Sequence, residues 1–386
     1  MIYLDNSATT QVLPSSAEIA LGCMRETFFN PSAAYGPAAK LERRVNGARE
    51  RIAQTLACPA GDIIFTSGGT ESNNTAIFGT LRAQASRFKG RPMRLITTIS
   101  EHPSVYEVFR LLKLTYGMDV VFLPQNPDGS VSTEALEDAL TADTALVSLM
   151  HVNNETGAVS DIAAAQKLIQ AHAPEAVFHV DGVQAYGKLP FGAVPCDLYS
   201  VSGHKLHAPK GIGFLAARSG IRFSGGLIGG GQEQNRRSGT TNAPAILALE
   251  ESVRFLSENQ TAHIETMRQN KLRLAKALLT VEDAVVNGPA PAEGAPHILN
   301  ISFPGVRGEV LLHALEQKEI YLSTGSACST HKKGGNRILG AIRVTGARQE
   351  GAVRISLSPF NTAEEMDIAA EEIQRQVAFL RRFQRR

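Results

Sequence analysis

Between Gly61 and Arg218, short apolar, β-branched runs alternate with longer stretches of helical pattern, and this alternation most narrows the folds open to the chain. The runs are residues 63–66, 95–98, 120–123, 146–149 and 177–180. They are apolar at nearly every position rather than at every second one, so both faces of each strand need covering. An α/β architecture follows, with a mostly parallel sheet between two layers of helices. Ligands of such sheets bind beyond the carboxyl ends of the strands, so the residues that follow each run are the ones to inspect.

With 386 residues the chain exceeds one ordinary core, and two domains are expected. The larger spans residues 15–245, and a smaller α+β unit combines residues 1–14 with 246–386. The border is drawn near the start of the long helical stretch after Asn242, which is followed by the turn sequence Asn287-Gly288-Pro289. Strands at 297–303 and 352–357 and a last helix opened by the capping box Thr362-x-x-Glu365 complete the smaller unit. The 39 basic and 37 acidic residues nearly cancel, so no overall field favours nucleic acid. Met1-Ile2-Tyr3-Leu4-Asp5-Asn6 lacks the segments of a secretory signal, and no apolar stretch approaches the ~20 residues that cross a bilayer. A soluble, cytoplasmic protein is expected. Cys23, Cys58, Cys196 and Cys328 form no Cys-x-x-Cys pair and stand at no metal-ligand spacing, which fits a reduced compartment and no metal site.

Three strand ends carry residues that suit parts of one ligand. Ser67-Gly68-Gly69-Thr70-Glu71-Ser72 follows a strand and opens a helix, where exposed N–H groups suit a phosphate; a plain turn capped by Thr70 is the alternative. Asp181 ends the 177–180 run, placed either to pair with a protonated ring nitrogen or to cap a turn. Ser202-Gly203-His204-Lys205 follows the run 198–201, and a partly desolvated lysine there would be a nucleophile towards carbonyl groups. Lys210 is a rival that reads better as loop scaffold before Gly211.

Two further residues have chemical potential. His102 follows the 95–98 run, where its ring could cover a flat ligand and move protons near neutral pH. Cys328 lies in Ser323-Thr324-Gly325-Ser326-Ala327-Cys328-Ser329-Thr330, among small residues rather than large apolar ones. The nearby His331, Lys332 and Lys333 favour its thiolate, the form that attacks sulfur. The other three cysteines read as small buried hydrophobes.

Together these segments resemble the cysteine desulfurases, pyridoxal 5′-phosphate (PLP) enzymes of fold type I, over nearly the whole chain. The resemblance is carried by Tyr3-Leu4-Asp5-Asn6-Ser7-Ala8-Thr9-Thr10, the Ser67-to-Ser72 turn, Met150-His151-Val152-Asn153-Asn154-Glu155-Thr156-Gly157, Ser202-Gly203-His204-Lys205, Arg237-Ser238-Gly239-Thr240 and Gly325-Ser326-Ala327-Cys328, in the family's order. It implies that Lys205 carries the cofactor, that Asp181 meets its ring nitrogen, that His102 stacks on the ring and that Gln184 meets its phenolic oxygen. It also implies phosphate held by Gly69, Thr70, Ser202 and His204, with Thr240 reaching across from a second subunit of a homodimer. Asn154, beside the cofactor, and Arg354 would hold the substrate carboxylate. Asp181-Gly182-Val183-Gln184 departs mildly from the family's usual Asp-Ala-x-Gln, and the segment after Cys328 is more basic than is common.

The expected reaction takes sulfur from free L-cysteine, leaving alanine and a persulfide on Cys328. An acceptor protein for iron–sulfur assembly or for tRNA or cofactor thiolation would then receive the sulfur. An aminotransferase or selenocysteine lyase on the same scaffold is the alternative within enzymes, and a non-catalytic sulfur relay or scaffold protein is the alternative outside them.

Overall fold

The computed structural model describes residues 1–90, 92–324 and 335–383. Among them the strands are β1 (Ile2–Tyr3), β2 (Ile63–Thr66), β3 (Arg94–Thr98), β4 (Asp119–Leu123), β5 (Thr144–Met150), β6 (Val177–Asp181), β7 (Leu198–Ser202), β8 (Gly213–Ala217), β9 (Val285–Val286), β10 (Ile298–Ser302), β11 (Ile320–Tyr321) and β12 (Ala352–Ser356). Seven form the main sheet in the order β2-β8-β7-β6-β5-β3-β4. Strand β8 runs antiparallel to both its neighbours, and the remaining pairs are parallel. Each of the five expected runs, and the run at 198–201, is a strand of this sheet.

The sheet is covered on both sides, as the uninterrupted apolar runs require. One layer packs Leu41, Val45 and Ile52 of the helix Gly36–Thr55 and Ile162 and Ile169 of the helix Ile162–His172 against Phe178, Val180 and Val201. The other packs Ile77 of the helix Gly69–Gln84 and Phe109 and Leu112 of the helix Pro103–Leu114 against Leu95, Leu146 and Leu198. Because β8 is antiparallel to both β2 and β7, Thr66 and Ser202 both pair with Gly213. The ends of β2 and β7 therefore lie on one edge, with the ends of β3, β5 and β6 beside them.

A smaller unit holds β10 between β9 and β12, with β1 paired to β11. Its core joins Ile2 and Leu4 to Leu274, Leu311, Ile355 and Ile373. The expected border at 245/246 needs correction. The helix Ala243–Glu258 buries Ile246, Leu249 and Val253 in the large core, whereas the helix Gln260–Leu278 buries Met267 and Leu274 in the small one. The packing divides at Asn259, a break hidden in the sequence by continuous helical pattern. The capping box is present: Thr362 Oγ1 accepts from Glu365 N at 3.1 Å, and Glu365 Oε2 accepts from Thr362 N at 3.1 Å.

Phe178 is fully buried in β6, the strand that ends at Asp181. Phe178→Ala is expected to cost about 3–5 kcal/mol, read as a lowered urea midpoint of the large-domain transition.

Candidate active site

The turn after β2 is shaped for close approach. Gly68 caps the helix Gly69–Gln84 with φ +143°, a conformation that favours glycine. Thr70 is therefore not the cap, and it is exposed one residue into the helix. A Cβ on Gly69 would come within 2.8 Å of Val183 Cγ2 and 3.4 Å of Ser202 Cβ. The first-turn N–H groups have no acceptor within the helix, and their partial positive charge faces the strand-end edge where Ser202 is buried. His204 completes this side, its Nδ1 3.2 Å from Thr9 Oγ1, and burial pushes it down to about 4, so it is neutral at physiological pH.

Lys205 ends the short 3₁₀ turn Gly203–Lys205 that leaves β7. Its Nζ donates to Ser7 O and Ala8 O, each at 2.5 Å. Both carbonyls belong to an N-terminal strap that reaches the large unit where Thr10 N donates to His204 O at 2.9 Å. Burial, helped by the Arg354 guanidinium and opposed by Asp5 and Asp181, lowers the Lys205 amine to about 8. Lys210 is exposed and does not share this setting.

Four side chains form one hydrogen-bonded line. Asp181 Oδ1 accepts from Val183 N at 3.0 Å, and its Oδ2 accepts from Asn73 Nδ2 at 2.8 Å. The same Asn73 amide donates to Ser104 Oγ at 2.9 Å, and Ser104 Oγ lies 2.8 Å from His102 Nδ1. His102 caps the helix Pro103–Leu114, and its Nδ1 also accepts from Ser104 N at 3.1 Å. A backbone amide can only donate, so Nδ1 is the acceptor and the neutral ring carries its proton on Nε2. The ring is open to solvent yet crowded by protein atoms, and that desolvation lowers its proton affinity against the opposing pull of Asp181.

Arg354, buried in β12, is already engaged. Its Nη2 donates to Asp5 Oδ1 at 2.8 Å, and its Nη1 donates to Glu155 Oε1 at 3.1 Å and to Asn154 O at 3.0 Å. Burial raises Glu155 to about 7 although Arg354 opposes it, so this acid is close to exchanging its proton at neutral pH. Asn154 Nδ2 donates to Glu155 Oε1 at 3.2 Å. Gln184 Nε2 donates to Ser7 O at 2.9 Å, the carbonyl that also receives Lys205. Thr240 is exposed on a loop anchored by Arg237 Nε to Glu71 Oε1 at 2.7 Å. Cys328 lies outside the described residues. A surface concavity of about 440 Å³ between Ile19, Arg44 and Leu247 shares no residue with this cluster.

A family model described as Aminotransferase class-V matches residues 2–368. The chain belongs to that family. It is 38% identical over 378 residues to a cysteine desulfurase of Nostoc sp. (strain PCC 7120), covering 96% of this chain and 91% of that one. The cysteine desulfurase IscS of Pectobacterium atrosepticum is 38% identical over 387 residues, with 98% and 93% covered. Among solved structures, a NifS-like protein superposes with a TM-score of 0.90 at 33% identity, covering 98% of this chain and 99% of that one. These likenesses place the chain among the cysteine desulfurases.

Enzymes of this class work with PLP, and the residues of this chain fit it. A helix N-terminus with no room for a side chain at Gly69, a lysine amine and a strand-end carboxylate match a phosphate, an aldehyde and a ring nitrogen. Asn154 Oδ1 and Ser7 Oγ are buried without partners among the described residues, as expected of atoms that a ligand satisfies. Sequence reasoning missed Asn73, Ser104 and the partnering of Arg354 by Asp5 and Glu155. Asp5 and Glu155 stand inside the motifs that carry the family resemblance, and Asn73 follows directly on one of them.

In the cofactor-free protein, competitive acetylation of Lys205 is expected to rise with a midpoint near pH 8, well below that of exposed lysines. The unfolded chain holds a proton at this amine that the folded chain releases between about pH 8 and the ordinary value of 10.5. This group's contribution to stability therefore increases with pH across that window.

Proposed function

We propose that the protein is a cysteine desulfurase that moves sulfur from L-cysteine onto Cys328. The observation that carries the reading is Lys205, whose amine rests on Ser7 O and Ala8 O within a site that also contains Asp181 and Arg354. Gly69, Thr70, Ser202 and His204 would hold the phosphate of PLP, with Thr240 supplied by the second copy in a homodimer. Asp181 would meet the ring nitrogen, His102 the ring face and Gln184 the phenolic oxygen. PLP, once bound, supplies an electron sink for bonds broken at the α-carbon of an amino acid.

The remaining chemistry belongs to the chain. Arg354 and Asn154 receive the cysteine carboxylate, and the Glu155 contact gives way as that acid takes a proton near pH 7. A Lys205 amine that titrates near 8 can accept the α-proton and return it. His102, neutral with its proton on Nε2, can serve the substrate sulfur or carbon. Cys328 Sγ, as thiolate, attacks the substrate sulfur: an S–S bond forms as the substrate C–S bond breaks. Cys328 is oxidised to the persulfide, the substrate carbon is reduced, and with a proton it leaves as alanine.

The acceptor is an iron–sulfur assembly protein or a thiolating enzyme, and the setting is the cytoplasm. No helix among the described residues is long and apolar enough to cross a membrane. An aminotransferase would need no cysteine nucleophile, so Cys328 separates the two readings.

Single-turnover mixing of the holoenzyme with L-cysteine is expected to yield alanine and Cys328 persulfide in equal amounts. Cys328→Ser should retain bound cofactor and lose both products. Alanine formed at the full rate by Cys328→Ser would reject the assignment.

A further inference from the structure

Arg337 opens the helix Arg337–Ala341, whose cap Asn336 Oδ1 accepts from Ile338 N at 2.9 Å. That helix belongs to the small unit: Leu339, Ile342 and Val344 cluster with Ala352 of β12, the strand that carries Arg354. The Arg337 side chain leaves this unit and reaches the turn that holds His102. Its Nη2 donates to Glu101 O at 2.7 Å, and its guanidinium carbon lies 3.7 Å from the centre of the Tyr106 ring. Glu101 precedes His102, and Tyr106 N donates to His102 O at 2.9 Å. One cation thus grips both sides of the His102 turn.

The Glu101 carboxyl does not compete for the guanidinium. Its Oε1 accepts from Thr98 Oγ1 and from Met150 N, each at 2.9 Å, and burial with the nearby Asp181 charge raises it to about 8. It is mostly neutral at physiological pH, so Arg337 remains a net positive charge beside His102. A guanidinium can sit over the Tyr106 ring while its N–H reaches the Glu101 carbonyl, a pair of contacts that a compact ammonium reproduces less well.

Ser323, before Cys328 in the sequence, and Arg337, after it, are both held at the site. Upstream, Ser323 N donates to Arg354 O at 3.1 Å and Arg354 N donates to Ser323 O at 2.6 Å. Downstream, Arg337 makes the contacts above.

We propose that Arg337 is a positioning residue of the active site, which clamps the His102 turn to the small unit. The proposal rests on the desulfurase reading and adds to it a residue that touches neither substrate nor cofactor. Among the described residues, the charges that face His102 are Asp181, Lys205 and Arg337, with His204 and the Glu101 carboxyl nearby. Of these, Asp181 favours the protonated ring, and Lys205 and Arg337 oppose it. Removing the Arg337 cation therefore raises the His102 pKa.

The test compares holoenzyme carrying Arg337→Met or Arg337→Lys with the parent and with Cys328→Ser. Arg337→Met should slow persulfide formation by about tenfold or more, as expected for a displaced reacting geometry, with KM for cysteine nearly unchanged. NMR titration of His102 should show its midpoint raised in Arg337→Met and nearly restored in Arg337→Lys, a readout independent of turnover. Arg337→Lys should still react slowly, because it keeps the charge but not both the ring contact and the bond to the Glu101 carbonyl. A parental persulfide rate or an unmoved His102 midpoint in Arg337→Met, at full cofactor content, overturns the proposal. Full product formation by Cys328→Ser would instead overturn the desulfurase reading, whatever the Arg337 variants do.

Discussion

The ammonium of Lys205 rests on two backbone carbonyls, Ser7 O and Ala8 O, and the site depends on the strap that supplies them. The strap starts in the small unit, where Leu4 is buried and Asn6 N donates to Ser356 O at 3.2 Å. It ends in the large unit, where Thr10 N is bonded to His204 O. Gln184 donates to the same Ser7 carbonyl, and Asp5 at the head of the strap holds Arg354. A shift of one unit against the other would disturb the Lys205 amine and the Arg354 guanidinium together.

The acids of the site divide by their surroundings. Asp181 keeps two donors, Asn73 Nδ2 and Val183 N. Glu101 and Glu155, with less compensation for their burial, are raised to about 8 and about 7. Near neutral pH the site therefore has fewer negative charges than its acid count suggests, while Arg354 and Arg337 stay cationic. That balance suits an anionic cofactor and the carboxylate of an amino acid. His102 fits the same scheme: its Nδ1 is fixed by Ser104 N, leaving Nε2 to exchange protons.

The strands were legible where burial on both faces forces apolar residues at every position, as in Val177–Asp181 and Leu198–Ser202. Strand β8 was not, because Gly213-Phe214-Leu215-Ala216-Ala217 has no β-branched residue. Gly213 is glycine for a tertiary reason: a Cβ there would strike the Val201 carbonyl and the Gly68 backbone. The break at Asn259 was invisible since one helical pattern continues into the next. In the site, Lys205, Asp181 and His102 were readable as polar residues at strand ends. Their partners were not, because Asn73 meets Asp181 across 108 residues and Asp5 meets Arg354 across 349. Such contacts are set by sheet order, which local pattern does not encode.

The claim on which everything else rests is that Lys205, and no other lysine, bonds to the cofactor. Borohydride reduction of the holoenzyme followed by peptide mass spectrometry tests it directly. The account predicts a phosphopyridoxyl group on Lys205 alone. The same mass on Lys210 or on the buried Lys188, or on no lysine of a cofactor-loaded protein, would contradict it.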